Sequence, residues 1–195
     1  AGHWEKATEE KKDLSPAYRN LAIFYYNKEN DHGKAMDVME KACTLDPEYP
    51  RIWLEYDQLA ARMNLPVMKR LEVMESHPAV TAGRDDLYLR YLTLLNDVGR
   101  YQEALDGLRS RQFHPWEGGE GKVSTQYKYA LIHLAMEKLE EKEPQEALEL
   151  LEATLSYPEN LGEGKLPNVP DNEAHYYMGL AYRQLGDTKK AEEYF

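Results

Sequence analysis

The stretch HYYMGLAYRQLGDTKKAEEYF, residues 175–195, decides the fold of this chain. It carries a large-small pair at Met178-Gly179, a glycine at Gly186 and a second small residue at Ala191. Small residues let two helices cross closely, and a glycine can adopt the left-handed conformation that ends a helix. The stretch therefore predicts two antiparallel helices joined by a short turn.

The same pattern recurs in the string YLRYLTLLNDVGRYQEALDGL, residues 88–108, and more loosely elsewhere. Recurrence at a fixed spacing indicates stacked repeats rather than one isolated motif. We expect an all-α, right-handed solenoid of antiparallel helix pairs that forms a single array over residues 1–195. Its parts are a leading helix at 1–14, units at about 15–47, 48–78, 84–112, 124–156 and 172–195, and long loops at 113–123 and 157–171.

Three units depart from the regular pattern. The first has one extra residue in its turn, around residues 30–33, and the second carries Asp57 where a small crossing residue is expected. In the fourth unit we expect the first helix to continue through the Glu-rich string EKLEEKEP, residues 137–144. Because Phe195 falls inside a predicted helix, we expect this chain to be a fragment of a longer protein or to end in a disordered tail.

These spacings resemble the tetratricopeptide repeat, and the resemblance covers almost the whole chain. The strings FHPWEGGEGK and NLGEGKL also resemble a bacterial family in which such an array follows a β-rich domain similar to sugar mutarotases. That second resemblance implies an N-terminal β domain outside this chain and a setting in carbohydrate metabolism. It implies no particular reaction.

Charge and composition exclude several classes of partner. Lys and Arg number 24 against 35 Asp and Glu, and the formal net charge of −11 repels nucleic acid and anionic membranes. No apolar run is long enough for membrane insertion. The single cysteine, Cys43, predicts a buried, inert thiol and does not fix the compartment, although the cytoplasm is favoured.

The resemblance implies that the first helix of each pair lines a concave groove. Chaperone-tail binding is not expected, because Arg19 is followed one turn later by Ile23 where a carboxylate clamp needs Asn. An ordinary amphipathic surface would explain the same positions. The candidate groove residues are Arg19, Tyr26, Asn27, Arg51, Gln58, Arg62, Asn96, Lys128, Tyr176 and Arg183.

Both long loops contain the string Gly-Glu-Gly-Lys. Because successive linkers emerge on one edge of a solenoid, we expect the two loops to be ordered neighbours, with Trp116 at least partly buried. Packing against the helices would explain these residues equally well. The candidate loop site consists of His114, Trp116, Glu117, Glu120, Lys122, Glu163 and Lys165.

Cofactors are not predicted at these loops. A phosphate loop needs Ser or Thr after its lysine, whereas Val123 and Leu166 follow the two lysines here. His114, Glu117 and Glu120 offer metal ligands but specify no tetrahedral site, so no metal is predicted.

We therefore predict a noncatalytic interaction scaffold that binds a protein or peptide partner through the groove or the linker edge. The alternative hypothesis is a helical module that contributes loops to a carbohydrate-binding or carbohydrate-processing site of a larger protein. In that alternative, paired carboxylates and a stacking platform at Trp116 would serve a sugar. Enzymatic activity of the whole protein is left open.

Overall fold

The computed structural model describes residues 4–7, 13–167 and 169–195. All regular structure in these residues is helical, and short turns join successive helices into antiparallel pairs. The prediction of an all-α fold built from antiparallel helix pairs is confirmed. From residue 15 onward the α-helices are α1 (Ser15–Phe24), α2 (His32–Leu45), α3 (Pro50–Arg62), α4 (Val67–Ser76), α5 (Pro78–Thr81), α6 (Asp85–Asp97), α7 (Tyr101–Ser110), α8 (Lys122–Glu140), α9 (Pro144–Ala153), α10 (Asn172–Gln184) and α11 (Thr188–Tyr194).

The chain divides into two compact units, Ala1–Leu94 and Leu95–Phe195. Unit 1 holds α1 to α5 and most of α6, and unit 2 holds α7 to α11. The single array over residues 1–195 stays a prediction. No helix in the described parts of the chain is both long and apolar enough to cross a membrane.

Alanines at close helix crossings build the core of unit 1. Ala22 in α1, Ala35 and Ala42 in α2 and Ala60 in α3 are fully buried, with larger apolar side chains between them. Cys43 is buried as predicted, and burial raises the pKa of its thiol to about 12. An unreactive thiol follows, because the thiolate is the nucleophilic form.

The extra residue of the first turn is accommodated by a π-helical turn, Tyr25–Glu29, at the end of α1. Asn30 then adopts the left-handed conformation, with φ of 53°, and ends the helix. The side chain of Asp31 accepts a hydrogen bond from the backbone nitrogen of Lys34 and begins α2. A π-helical turn absorbs one residue without breaking the helix pair.

Of the predicted leading helix, the structure describes residues 4–7 and 13–14. Residues 4–7 are helical. The hydroxyl of Tyr25 donates a hydrogen bond of 2.9 Å to Glu5, which joins this segment to unit 1. The rest of the prediction for 1–14 lies outside the described residues.

Asp57 is buried at the helix crossing of the second predicted unit, with 2% of its surface exposed. Its two carboxylate oxygens each accept a hydrogen bond of 2.8 Å from Arg70 in α4, and one accepts a further bond of 2.6 Å from Arg90 in α6. Charge pairing therefore takes the place of close apolar packing at this position.

The prediction that the fourth unit's first helix continues through residues 137–144 was wrong. Helix α8 ends at Glu140, and Lys142 has a left-handed φ of 65°. Pro144 begins α9, and a proline disfavours helical backbone at the residue before it. The end of α8 could not be recognised from helix propensity, because the residues of the Glu-rich string before Pro144 are almost all strong helix formers.

Unit 2 has the predicted turns and the predicted close crossing. Gly99 and Gly186 have φ values of 80° and 81° in the turns after α6 and α10. Gly179 lies against the ring of Phe195, so that a Cβ at position 179 would come within 2.7 Å of it, and Ala191 is buried.

Candidate functional site

A groove between α1 with its π-helical turn and α3 encloses about 230 Å³ in unit 1. We call it the unit 1 groove. Its walls combine apolar and amide side chains with one guanidinium group and one carboxylate, and the lining includes Ile23, Tyr26, Asn27, Glu55, Gln58, Leu59 and Arg62. Four of the predicted groove residues, Tyr26, Asn27, Gln58 and Arg62, thus share one cavity.

The charged side chains that line the unit 1 groove are the Glu55 carboxylate and the Arg62 guanidinium. Glu55 is paired with both Arg19 and Arg51, the latter at 3.1 Å, so these two predicted residues hold a carboxylate. The hydrogen bonds that Arg19 donates to the Glu55 carboxylate raise the pKa of Arg19. Arg62 lies 5.6 Å from the ring centre of Tyr26 and has no carboxylate partner among the described residues. Glu55 is a residue that sequence reasoning missed.

Asn96, a predicted groove residue, lies outside the lining of the unit 1 groove and packs against α8. Its side chain is buried, with 1% exposure, and donates a hydrogen bond of 2.9 Å to the side chain of Gln126. The physical reason is that the position faces α8 instead of solvent. A partner 30 residues away in sequence could not be read from the local pattern.

The remaining predicted groove residues of unit 2 have intramolecular partners. Lys128 forms an ion pair of 2.5 Å with Asp171 and is mostly buried. Tyr176 is 52% exposed, and its ring centre is 5.8 Å from that of Phe195. The guanidinium of Arg183 lies 5.8 Å from the same Phe195 ring.

The two long loops are in direct contact. The backbone nitrogen of Phe113 donates a hydrogen bond of 2.8 Å to the carbonyl of Asn160. The Asn160 side chain donates in turn to the carbonyl oxygens of Leu108, at 2.8 Å, and Arg111, at 2.9 Å. These bonds join the loop after α9 to the loop after α7, as expected for neighbouring linkers. Asn160 was not among the predicted residues.

Glu163 caps the N-terminus of α8. One carboxylate oxygen accepts a hydrogen bond of 2.7 Å from the backbone nitrogen of Gly121, and the other accepts one of 2.6 Å from Ser124. The first backbone N–H groups of a helix lack partners within the helix and attract negative charge. Glu163 therefore joins the second loop to the helix that follows the first.

The two loops enclose a second cavity, of about 210 Å³, which we call the loop pocket. Apolar walls come from Val123, Leu161 and Leu166. Trp116 is partly buried, with its ring against Gly119. The predicted residues that line the pocket are His114, Trp116, Glu120, Glu163 and Lys165. Glu117 and Lys122 are exposed and are not part of this lining.

Most charges at the loop pocket are neutralised within the protein. Lys165 pairs with Asp171, which also pairs with Lys128. The hydrogen bond to Asp171 raises the pKa of Lys165. Within the described ranges Glu120 makes no hydrogen bond or ion pair, and no group of three His, Cys, Asp or Glu side chains could hold a metal ion.

A family model for the tetratricopeptide repeat matches residues 16–49 and 173–195, the first and last predicted units. The fold also resembles the crystal structure of YrrB, a TPR protein with an unusual peptide-binding site. The TM-score is 0.62 at 20% identity, over 98% of this chain and 88% of YrrB.

Two structures of MamA are similar as well. One has a TM-score of 0.57 and 17% identity over 93% of this chain and 87% of that protein. The other, MamA 41-end from Desulfovibrio magneticus RS-1, has a TM-score of 0.56 and 13% identity over 93% and 90%. At such identities the likeness shows the fold alone, and it confirms the predicted fold of tetratricopeptide-repeat type.

Proposed function

We propose, from the tetratricopeptide repeats that this chain contains, that it is a noncatalytic interaction scaffold that binds a protein or peptide partner. The observation that carries the proposal is the unit 1 groove, a cavity of about 230 Å³ lined by side chains of α1, its π-helical turn and α3. Concave, mostly apolar sites with a few polar groups are typical of ligand binding.

The lining of the unit 1 groove suits an extended peptide. Ile23 is 38% exposed and, with Tyr26, offers apolar surface for a side chain of the partner. Asn27 and Gln58 carry amide groups that both donate and accept, as a peptide backbone requires. Arg62 supplies a cation without a carboxylate partner among the described residues, so the groove favours a peptide with an acidic side chain. Peptide binding by YrrB, which has a similar fold, supports the same reading.

A peptide-binding experiment tests this proposal. Selection from a display library of short random peptides should return binders, and Arg62→Glu should weaken them about tenfold or more. Lys41→Glu is the matched control, because it makes the same charge change at an exposed site on α2 outside the groove. Equal losses in both variants, or binders insensitive to Arg62→Glu and Tyr26→Ala, would refute the groove as the binding surface.

The alternative candidate function is the contribution of the loops to a carbohydrate site of a longer protein with a β domain. The loop pocket favours it, since Trp116 offers a ring for stacking and Glu120 a free hydrogen-bond acceptor. A glycan array probed with this chain tests it. Retention of a specific glycan by the wild type but not by Trp116→Ala would support the alternative, and retention of none would count against it.

A further inference from the structure

The loop pocket carries one carboxylate that the protein does not neutralise. Glu163 accepts hydrogen bonds from two backbone N–H groups at the start of α8, and Lys165 is paired with Asp171. Glu120 lines the same pocket and makes no hydrogen bond or ion pair among the described residues. The pocket therefore presents one free negative charge to a ligand.

An aromatic face and apolar walls accompany this carboxylate. Trp116 is partly buried in the lining, and tryptophan is the aromatic side chain that attracts cations most strongly. Val123, Leu161 and Leu166 complete the walls, and such apolar surface accepts the methylene stem of a long cationic side chain. A free carboxylate, a tryptophan ring and apolar walls are together the features that recognise a cationic side chain.

We infer that the loop pocket binds the side chain of an arginine presented by a protein partner. Arginine fits better than lysine because its planar guanidinium can stack on the Trp116 ring and also donate two hydrogen bonds to the Glu120 carboxylate. The net charge of −11 complements a basic partner at long range. This second binding surface lies in unit 2 and does not depend on the unit 1 groove.

Two glycines let the side chains of the pocket walls pack closely against the backbone. A Cβ at Gly121 would collide with the side chain of Leu166, and a Cβ at Gly119 would come within 2.6 Å of the Trp116 ring nitrogen. The first Gly-Glu-Gly string thus lets two pocket walls approach the backbone on either side of Glu120. A preformed wall of this kind lowers the ordering cost of binding.

The experiment follows the indole N–H resonance of Trp116 by NMR while a blocked Gly-Arg-Gly peptide is added. The resonance is assigned with Trp116→Phe, which separates it from Trp4 and Trp53. A Gly-citrulline-Gly peptide has nearly the same shape without the charge. We expect the arginine peptide to shift the resonance and to bind about fivefold or more tightly than the citrulline peptide, with weaker binding at high salt.

Two matched variants test whether the Glu120 carboxylate is the group that binds the arginine. Glu120→Gln should weaken binding of the arginine peptide about fivefold or more, whereas Glu117→Gln, an exposed change in the same loop, should leave it unchanged. Equal binding of the arginine and citrulline peptides, equal effects of the two variants, or no shift of the Trp116 resonance would overturn the inference. A shift caused instead by neutral methyl glycosides would overturn it in favour of a sugar. Peptide binding in the unit 1 groove is tested by other residues and can succeed or fail independently.

Discussion

The carboxylate of Glu163 accepts a hydrogen bond of 2.7 Å from the backbone nitrogen of Gly121, across 42 residues of sequence. This bond and its companion to Ser124 make the second loop the N-terminal cap of α8. Both loops and the helix that carries the candidate groove residue Lys128 therefore depend on one side chain. The stability of unit 2 and the shape of the loop pocket are coupled through Glu163.

Removal of this cap should destabilise the protein. We expect Glu163→Ala to lower the free energy of unfolding by about 1–2 kcal/mol, because two backbone N–H groups of α8 lose their partner. Urea denaturation monitored by circular dichroism measures the change. Glu117→Ala, in the exposed part of the first loop, should cost less than about 0.5 kcal/mol. Similar losses for both variants would contradict the capping role.

A methyl group at Gly162 should disturb the contact between the loops. Gly162 has φ of 70°, and a Cβ there would overlap the carbonyl oxygen of Phe113 and lie 3.0 Å from its carbon. We expect Gly162→Ala to cost about 1–3 kcal/mol, from backbone strain and overpacking together. Gly164→Ala is the control, since a Cβ at that position meets nothing within 4 Å. Thermal unfolding of the two variants compares them, and an equally stable pair would refute the packing argument.

The buried pair of Asp57 and Arg70 should be far more sensitive than a surface pair. Arg70 is 7% exposed, and its loss leaves the buried Asp57 carboxylate with Arg90 as its remaining ion-pair partner. We expect Arg70→Met to cost about 3–5 kcal/mol. Arg84→Met breaks the pair with Asp86, where the arginine is 41% exposed, and should cost about 1 kcal/mol or less. The denaturant midpoints of the two variants measure these losses, and equal midpoints would show that Asp57 does not need Arg70.

The ion pairs of Asp171 should make unit 2 sensitive to acid. Burial raises the pKa of Asp171, but the hydrogen bonds from Lys128 and Lys165 outweigh it and hold the pKa below its usual value. A carboxyl with a lowered folded pKa stabilises the fold above its unfolded pKa, about 4, and loses that contribution as the pH falls further.

The wild type should therefore exceed Asp171→Asn in unfolding free energy at neutral pH, and this difference should shrink below about pH 4. Unfolding in urea across the acid range measures it. Asp97→Asn, at an exposed aspartate with no ion pair in the described parts of the chain, should show no such trend. A difference that is constant with pH would argue against the charge pairing.

The sequence by itself determined the helix pairs and most of their turns. Gly99, Gly186 and the small residues Gly179 and Ala191 identified turns and crossings correctly, because helical periodicity and turn preferences act over a few residues. It also predicted that the two long loops would meet, since the spacing of repeats places their linkers side by side. The end of α8 at Glu140 was not predicted, because strong helix formers continue beyond it in the sequence.

Only the tertiary structure decided what the polar residues of these elements do. From the sequence, Asn96 was predicted to line a groove, but in the structure α8 covers it. Glu163 was predicted to belong to a ligand site, but its carboxylate caps α8. Glu120, in the matching string of the first loop, is left without a partner among the described residues. The reason is physical: a hydrogen bond depends on distances of about 3 Å, and the partners that satisfy or spare each side chain come from segments tens of residues away.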